Sequence, residues 1–174
     1  AIVDAHHAAG LRADIGHIGV EGSLEPRLGE ALAGALAGRV EPLDRSRLVE
    51  IKLHSLAETE FRYYVDWGSV SAGEDRIVRY VLVARSPSGA ENVTFEGIRC
   101  QGEYRVYAVG ARDGAWGGRP SEWRPIPRNP SAVQPALARQ YFCPGRAAIR
   151  TSDEGQRAVR DGGHPGLLRD LEYR

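Results

Sequence analysis

Residues 77–86 of the chain read Ile77-Val78-Arg79-Tyr80-Val81-Leu82-Val83-Ala84-Arg85-Ser86 and are apolar at four consecutive positions, Tyr80 to Val83. A half-exposed strand alternates apolar and polar side chains, so unbroken apolarity over so short a length predicts a central strand covered on both faces. Ser86-Pro87-Ser88-Gly89 then breaks the run as a loop. Glu91 to Cys100 predicts the next strand, and Gln101-Gly102 is short enough for Glu103 to Arg112 to return as the second arm of a hairpin. Alternation along that arm puts Tyr104, Val106 and Ala108 on one face and Arg105, Tyr107 and Val109 on the other. Upstream, Leu48 to Leu53 and Phe61 to Val65 read as two further strands. Asp66, before Trp67-Gly68, reads as a turn residue whose carboxylate binds nearby backbone N–H groups. Downstream, Asp113-Gly114 ends the hairpin, and Trp116 to Pro127 reads as a Gly/Pro/Trp loop without regular structure. Pro135 opens a short helix through Tyr141. Thr151-x-x-Glu154 predicts a capping box, and Gly162-Gly163 stops the helix it starts. The plan is α+β, a single antiparallel sheet of about five or six strands packed with one or two helices.

The first 46 residues have a different character and predict a flexible N-terminal extension ahead of a domain over residues 47–174. They are rich in Ala and Gly and carry His6, His7 and His17. Leu24, Leu28, Leu32, Leu36 and Val40 recur every four residues, with Ser23 as N-cap and Pro26 in the first turn, which predicts an amphipathic helix. That leucine stripe is suited to docking on a partner or a second copy. No methionine occurs, not even at position 1. A processed chain is therefore expected, with any signal peptide removed.

Over 174 residues the 23 acidic and 23 basic side chains cancel. This excludes nucleic-acid binding driven by net positive charge. No run approaches the 18 apolar residues that a transmembrane helix requires. Cys100 and Cys143 form no C-x-x-C pair and have no histidine at ligand spacing, which argues against redox and structural-zinc roles. Two buried free thiols or one disulfide remain.

Glu96, inside a predicted strand, reads either as a general acid or base raised by burial or, more simply, as the partner of an arginine such as Arg79 or Arg105 across the ladder. In the first case Arg99 or Tyr107 would complete a hydrolase cleft. The three N-terminal histidines are candidate haem or metal ligands, although no second ligand class stands near them. No nucleophile elbow or phosphate loop is present, so no catalytic residue, cofactor or metal is assigned. Trp116 and Trp123, interspersed with Arg119 and Arg124, have the composition of an interaction surface, since Arg stacks on indole faces and both are favoured at hot spots. Glu96 and Arg99 join them as candidate binding residues.

Residues 61–155 contain Tyr64-Val65-Asp66, Ser69-Val70-Ser71, Val78-Arg79-Tyr80, Ser86-Pro87-Ser88-Gly89-Ala90-Glu91-Asn92-Val93, Phe95-Glu96-Gly97-Ile98-Arg99-Cys100, Trp116, Trp123 and Tyr141-Phe142-Cys143, in that order. The set resembles the cryptic neisserial protein (CNP1-like) family of exported bacterial proteins. More distantly it is similar to the surface-adhesin protein E fold. The resemblance implies a periplasmic or outer-envelope location, hence an oxidising compartment and a Cys100–Cys143 bridge. The function expected is that of an exported, non-enzymatic binding or accessory protein with a protein partner in the cell envelope.

Overall fold

The computed structural model describes residues 43–53, 60–129 and 132–166. The predicted N-terminal helix with its leucine stripe, and His6, His7 and His17, lie outside the described residues. Within them the fold is α+β, one antiparallel sheet with helices on one face. A short 3-10 turn, Arg45–Arg47, is capped by Asp44 and leads into β1 (Leu48–Glu50). There follow β2 (Arg62–Ala72), β3 (Ile77–Arg85), β4 (Glu91–Arg99) and β5 (Glu103–Gly110). Each pairs antiparallel with the next, and β3 lies centrally as its apolar run requires. The segment read as an irregular loop contributes two short strands, β6 (Trp116–Gly117) and β7 (Arg124–Pro125), both paired to β5. Pairing to an open sheet edge satisfies backbone groups that composition alone does not reveal.

The hairpin turn after β4 needs Gly102, whose φ of +104° is open to glycine, and Gly102 N–H donates to the Arg99 carbonyl at 3.0 Å. β2 is longer than its sequence suggested and carries a bulge between Asp66 and Ser71. Asp66 is the hinge of that bulge. It is buried within the strand instead of sitting in a turn, and its Oδ1 accepts from Gly68 N–H at 3.0 Å. The Arg47 guanidinium neutralises it, with Nε 3.1 Å from Oδ1 and Nη2 3.3 Å from Oδ2. The Ser69 hydroxyl donates to the Asp66 carbonyl at 2.6 Å and accepts from Val81 N–H at 2.8 Å, replacing the ladder bond that the bulge removes.

On the helix-bearing face, Val65, Val70, Val78, Tyr80, Leu82 and Ile98 meet Val133, Leu137, Tyr141, Phe142 and Val159. The helical layer begins with α1 (Val133–Ala136), which widens into a π-helical stretch, Leu137–Phe142. It ends with α2 (Ser152–Arg160). Thr151 Oγ1 caps α2 by accepting from Glu154 N–H at 3.2 Å, while Glu154 Oε2 reaches back to Arg150 N–H at 2.6 Å. At its other end Gly162 N–H donates to the Val159 carbonyl and Gly163 N–H to that of Ala158, the double bond of a Schellman stop. Gly155 brings α2 close to the sheet: a Cβ there would lie 2.7 Å from Val70 Cγ1. Cys100, just past β4, and Cys143, capping the π-helical stretch, are joined by a disulfide with Cα atoms 5.5 Å apart. Of the two states left open by the spacing, the covalent one is present.

Candidate functional site

The face of the sheet away from the helices carries the densest interaction chemistry. A row of rings crosses it. Trp116 lies 6.3 Å from Phe95, Phe95 lies 5.4 Å from Tyr107, and Tyr107 lies 6.4 Å from Trp123, each centroid to centroid. Three strand arginines are interleaved with its lower half. The Arg99 guanidinium stacks on Trp123 at 3.8 Å, and Arg105 stands 5.5 Å from the same ring and 5.1 Å from Tyr107. Arg79 lies over the other side of the row, 5.6 Å from Tyr107.

Backbone register explains the grouping. Arg79, Gly97 and Arg105 are direct partners across β3, β4 and β5. Glycine in the middle leaves a trough in which the Tyr107 ring lies, for a Cβ at Gly97 would come within 2.7 Å of Tyr107 Cε2. A bulge between β4 and β5 also contributes. Phe95 pairs with Ala108 while Glu96 pairs with Val106, so Tyr107 is the extra residue. Simple alternation had put Ala108 with Tyr104 and Val106. The bulge instead turns Tyr107 and Ala108 to the same side, where both pack with Phe95 and Val81. Burial pushes the Tyr107 phenol up, against the pull of Arg79 and Arg105.

Of the candidate binding residues, Trp116, Trp123 and Arg99 therefore meet on one face. Trp116 sits at its upper end, beside a recess of about 340 Å³ walled by Leu43, Val93 and the Arg45–Glu91 ion pair. Its indole Nε1 is buried with no acceptor among the described residues. Arg119 and Arg124 are exposed, and Arg124 is held in β7 opposite Tyr104. Arg105, Tyr107 and Arg79 were missed as binding residues. The Arg-x-Tyr spacing on one strand was visible, but neither the trough at Gly97 nor the bulge was.

Glu96 lies on the opposite, helix-bearing face, and the expected pairing with Arg79 or Arg105 does not occur. Their register partner is Gly97, and the residue next to it points the other way. Glu96 is instead buried and accepts from Tyr80 Oη at 2.9 Å, Thr94 Oγ1 at 2.8 Å and Gln134 Nε2 at 3.2 Å. The sheet separates it from Arg99 and Tyr107, so the three do not share a cleft. Among the described residues no group of three His, Cys, Asp or Glu is placed to hold a metal. The His164 ring instead folds the chain after α2 back onto that helix, with Nε2 2.8 Å from Glu154 Oε1 and Nδ1 accepting from Gly166 N–H at 3.0 Å, while its backbone N–H donates to the Gln140 carbonyl of the π-helical stretch at 2.7 Å.

Burial raises the Glu96 carboxyl above its ordinary value of 4.5, outweighing the three donors that favour its ionised form. The fold thus holds the proton more tightly than the unfolded chain. The stabilisation is complete below pH 4.5 and is lost as pH rises toward the folded value. Asp44, held by Ser46, Asp75, held by Arg79, and Glu91, held by Arg45, are shifted down and act in the opposite sense, losing their contribution only as pH falls below their ordinary values. Urea midpoints measured upward from pH 4.5 should fall less steeply in Glu96→Gln than in wild type. Parallel curves would show that the carboxyl does not titrate as described.

A family model described as the CNP1-like family matches residues 41–160, a span that includes every strand among the described residues, α1, α2 and the disulfide. The chain belongs to the CNP1-like family. The ring-and-arginine face of this CNP1-like chain falls wholly within the matched span. No curated protein and no solved structure matches the chain. The bridge in this CNP1-like domain is compatible with an extracellular or periplasmic setting, and no helix among the described residues is long and apolar enough to cross a membrane.

Proposed function

We infer that this CNP1-like protein is an exported, non-enzymatic binding or accessory protein of the cell envelope, and that it engages its partner through the face bearing Trp123, Arg99, Arg105 and Tyr107. The observation that carries this reading is the Arg99 guanidinium stacked at 3.8 Å on Trp123 with Arg105 beside it. Guanidinium forks immobilised on aromatic rings lose less side-chain entropy on binding than free ones, and Trp, Tyr and Arg are the residues that dominate interface energies. The bridge supports an oxidising compartment. The hydrolase reading of Glu96 has less behind it, because its carboxyl is spent on three donors inside the core.

Capture from envelope extract tests the proposal. Wild-type bait should retain a partner that Trp123→Ala loses, with the variant's disulfide and far-UV spectrum intact. Recovery of the same partner by both baits, or of the bait alone by wild type, would overturn it.

A further inference from the structure

The three strand arginines of the ring face differ in how they are neutralised. Arg79 is paired to Asp75 by two hydrogen bonds, one at 3.3 Å from Nη1 to Oδ1 and one from Nη2 to Oδ2. Arg99 has a long contact to Glu103, 3.5 Å from Nη1 to Oε2, in which both side chains are about 40% exposed (39% and 42%). An ion pair so long and wet contributes little, and the Arg99 fork is available to a better acceptor. Arg105 has no carboxylate partner among the described residues. Its contacts are the Tyr107 and Trp123 rings, and its Nε is buried without an acceptor. Rings hold the stem and the plane of this guanidinium, but they supply no counter-charge.

We propose that Arg105 and Arg99, both braced against the Trp123 ring, form a binding site for a phosphate group. This rests on the reading of that face as the binding surface and names the chemistry it recognises. Arg99 pairs with Glu103 and Gly97 with Arg105, so Arg99 and Arg105 are diagonal neighbours on one face of the β4–β5 pair, a spacing of about 7–8 Å that two long side chains span to address the oxygens of one anion. A planar fork matches the edge of a tetrahedral oxyanion with two parallel hydrogen bonds, and charge-assisted bonds of this kind are the strong ones. A carboxylate carries one negative charge and would neutralise one fork. The dianion of a phosphate monoester balances both. Arg79, held by Asp75, supports Tyr107 from the far side and is not itself a ligand. The group is supplied either by a free phosphorylated molecule or by an anionic lipid headgroup, and the recognition chemistry is shared.

The test uses the full chain with its disulfide intact. Inorganic phosphate is titrated by isothermal calorimetry and by Trp fluorescence. In a parallel arm, the protein is sedimented with phosphatidylcholine vesicles containing or lacking phosphatidic acid. Saturable binding in either arm is expected, the first pointing to a soluble source and the second alone to a lipid one. Arg105→Gln and Arg99→Gln should each weaken it roughly tenfold or more, as loss of a charge-assisted hydrogen bond implies. Arg105→Lys, which keeps the charge and loses the fork, should fall between, and Arg112→Gln, an exposed turn arginine, should bind as wild type does. Binding in neither arm overturns the proposal, as does binding unaffected by Arg105→Gln. If Trp123→Ala still abolishes partner capture while no phosphate binds, the phosphate site fails and the binding face stands.

Discussion

Cys143→Ser should lower the thermal midpoint by about 10 °C, and reduction of the wild-type protein should lower it by the same amount. The bridge joins residues 43 positions apart. Closing a loop of that length removes about 4 kcal/mol of conformational freedom from the unfolded chain on the chain-entropy account. For a protein of this size, 1 kcal/mol corresponds to roughly 2–4 °C in midpoint. Position adds to the effect. Cys100 stands at the turn between β4 and β5, and Cys143 caps the π-helical stretch, so the bridge clamps the helical layer to the hairpin. The single and double serine variants should therefore lose equal amounts, since either removes the same covalent link. A midpoint that does not move on reduction would mean the clamp is redundant with the packing beneath it.

Phe142→Ala should cost about 4 kcal/mol, read from urea unfolding of the oxidised protein. Phe142 has no exposed surface, its ring lies 5.2 Å from Tyr80 and 6.3 Å from Tyr141, and its backbone carbonyl accepts from Ile149 N–H at 3.0 Å. The hydrogen bond survives truncation and the ring contacts do not, so the loss is one of apolar burial plus the cavity left between the π-helical stretch and β3. Val109→Ala, at a residue 43% exposed on β5, serves as the comparison and should change stability by no more than about 0.5 kcal/mol. Equal effects at the two positions would show that the described core is not where the stability resides.

Strand identity was legible wherever β-branched runs met turn chemistry. β3, β4 and β5 follow directly from the apolar run after Ile77, from Pro87-Ser88-Gly89 and from Gly102. The capping residues Thr151 and Glu154 and the stop at Gly162-Gly163 were equally plain, because local hydrogen bonds decide them. Two bulges were not legible. The pattern around Asp66 looks like a turn because its carboxylate does bind a nearby N–H, and nothing local reveals that the strand resumes beyond it. The bulge at Tyr107 reverses which side Ala108 faces, a consequence of pairing with β4 that β5 alone does not encode. Alternation already put Arg105 and Tyr107 on one face, whereas Arg79 joins them only through the register of β3 and β5 with Gly97. Trp116, Trp123 and Arg99 stood out by composition, but the arginine left without a counter-charge could be found only once its neighbours were known. Glu96 shows the converse. Its chemistry was conspicuous in the sequence, yet its three donors come from β3, β4 and α1, and make it part of the core.

Photo-crosslinking in living cells tests the binding face most directly. A photoreactive side chain placed at Glu103, beside Arg99 on the ring face, should yield a discrete adduct with an envelope component, and the same side chain at Arg157 on the outer surface of α2 should not. An adduct from position 157 with none from position 103 would contradict the account.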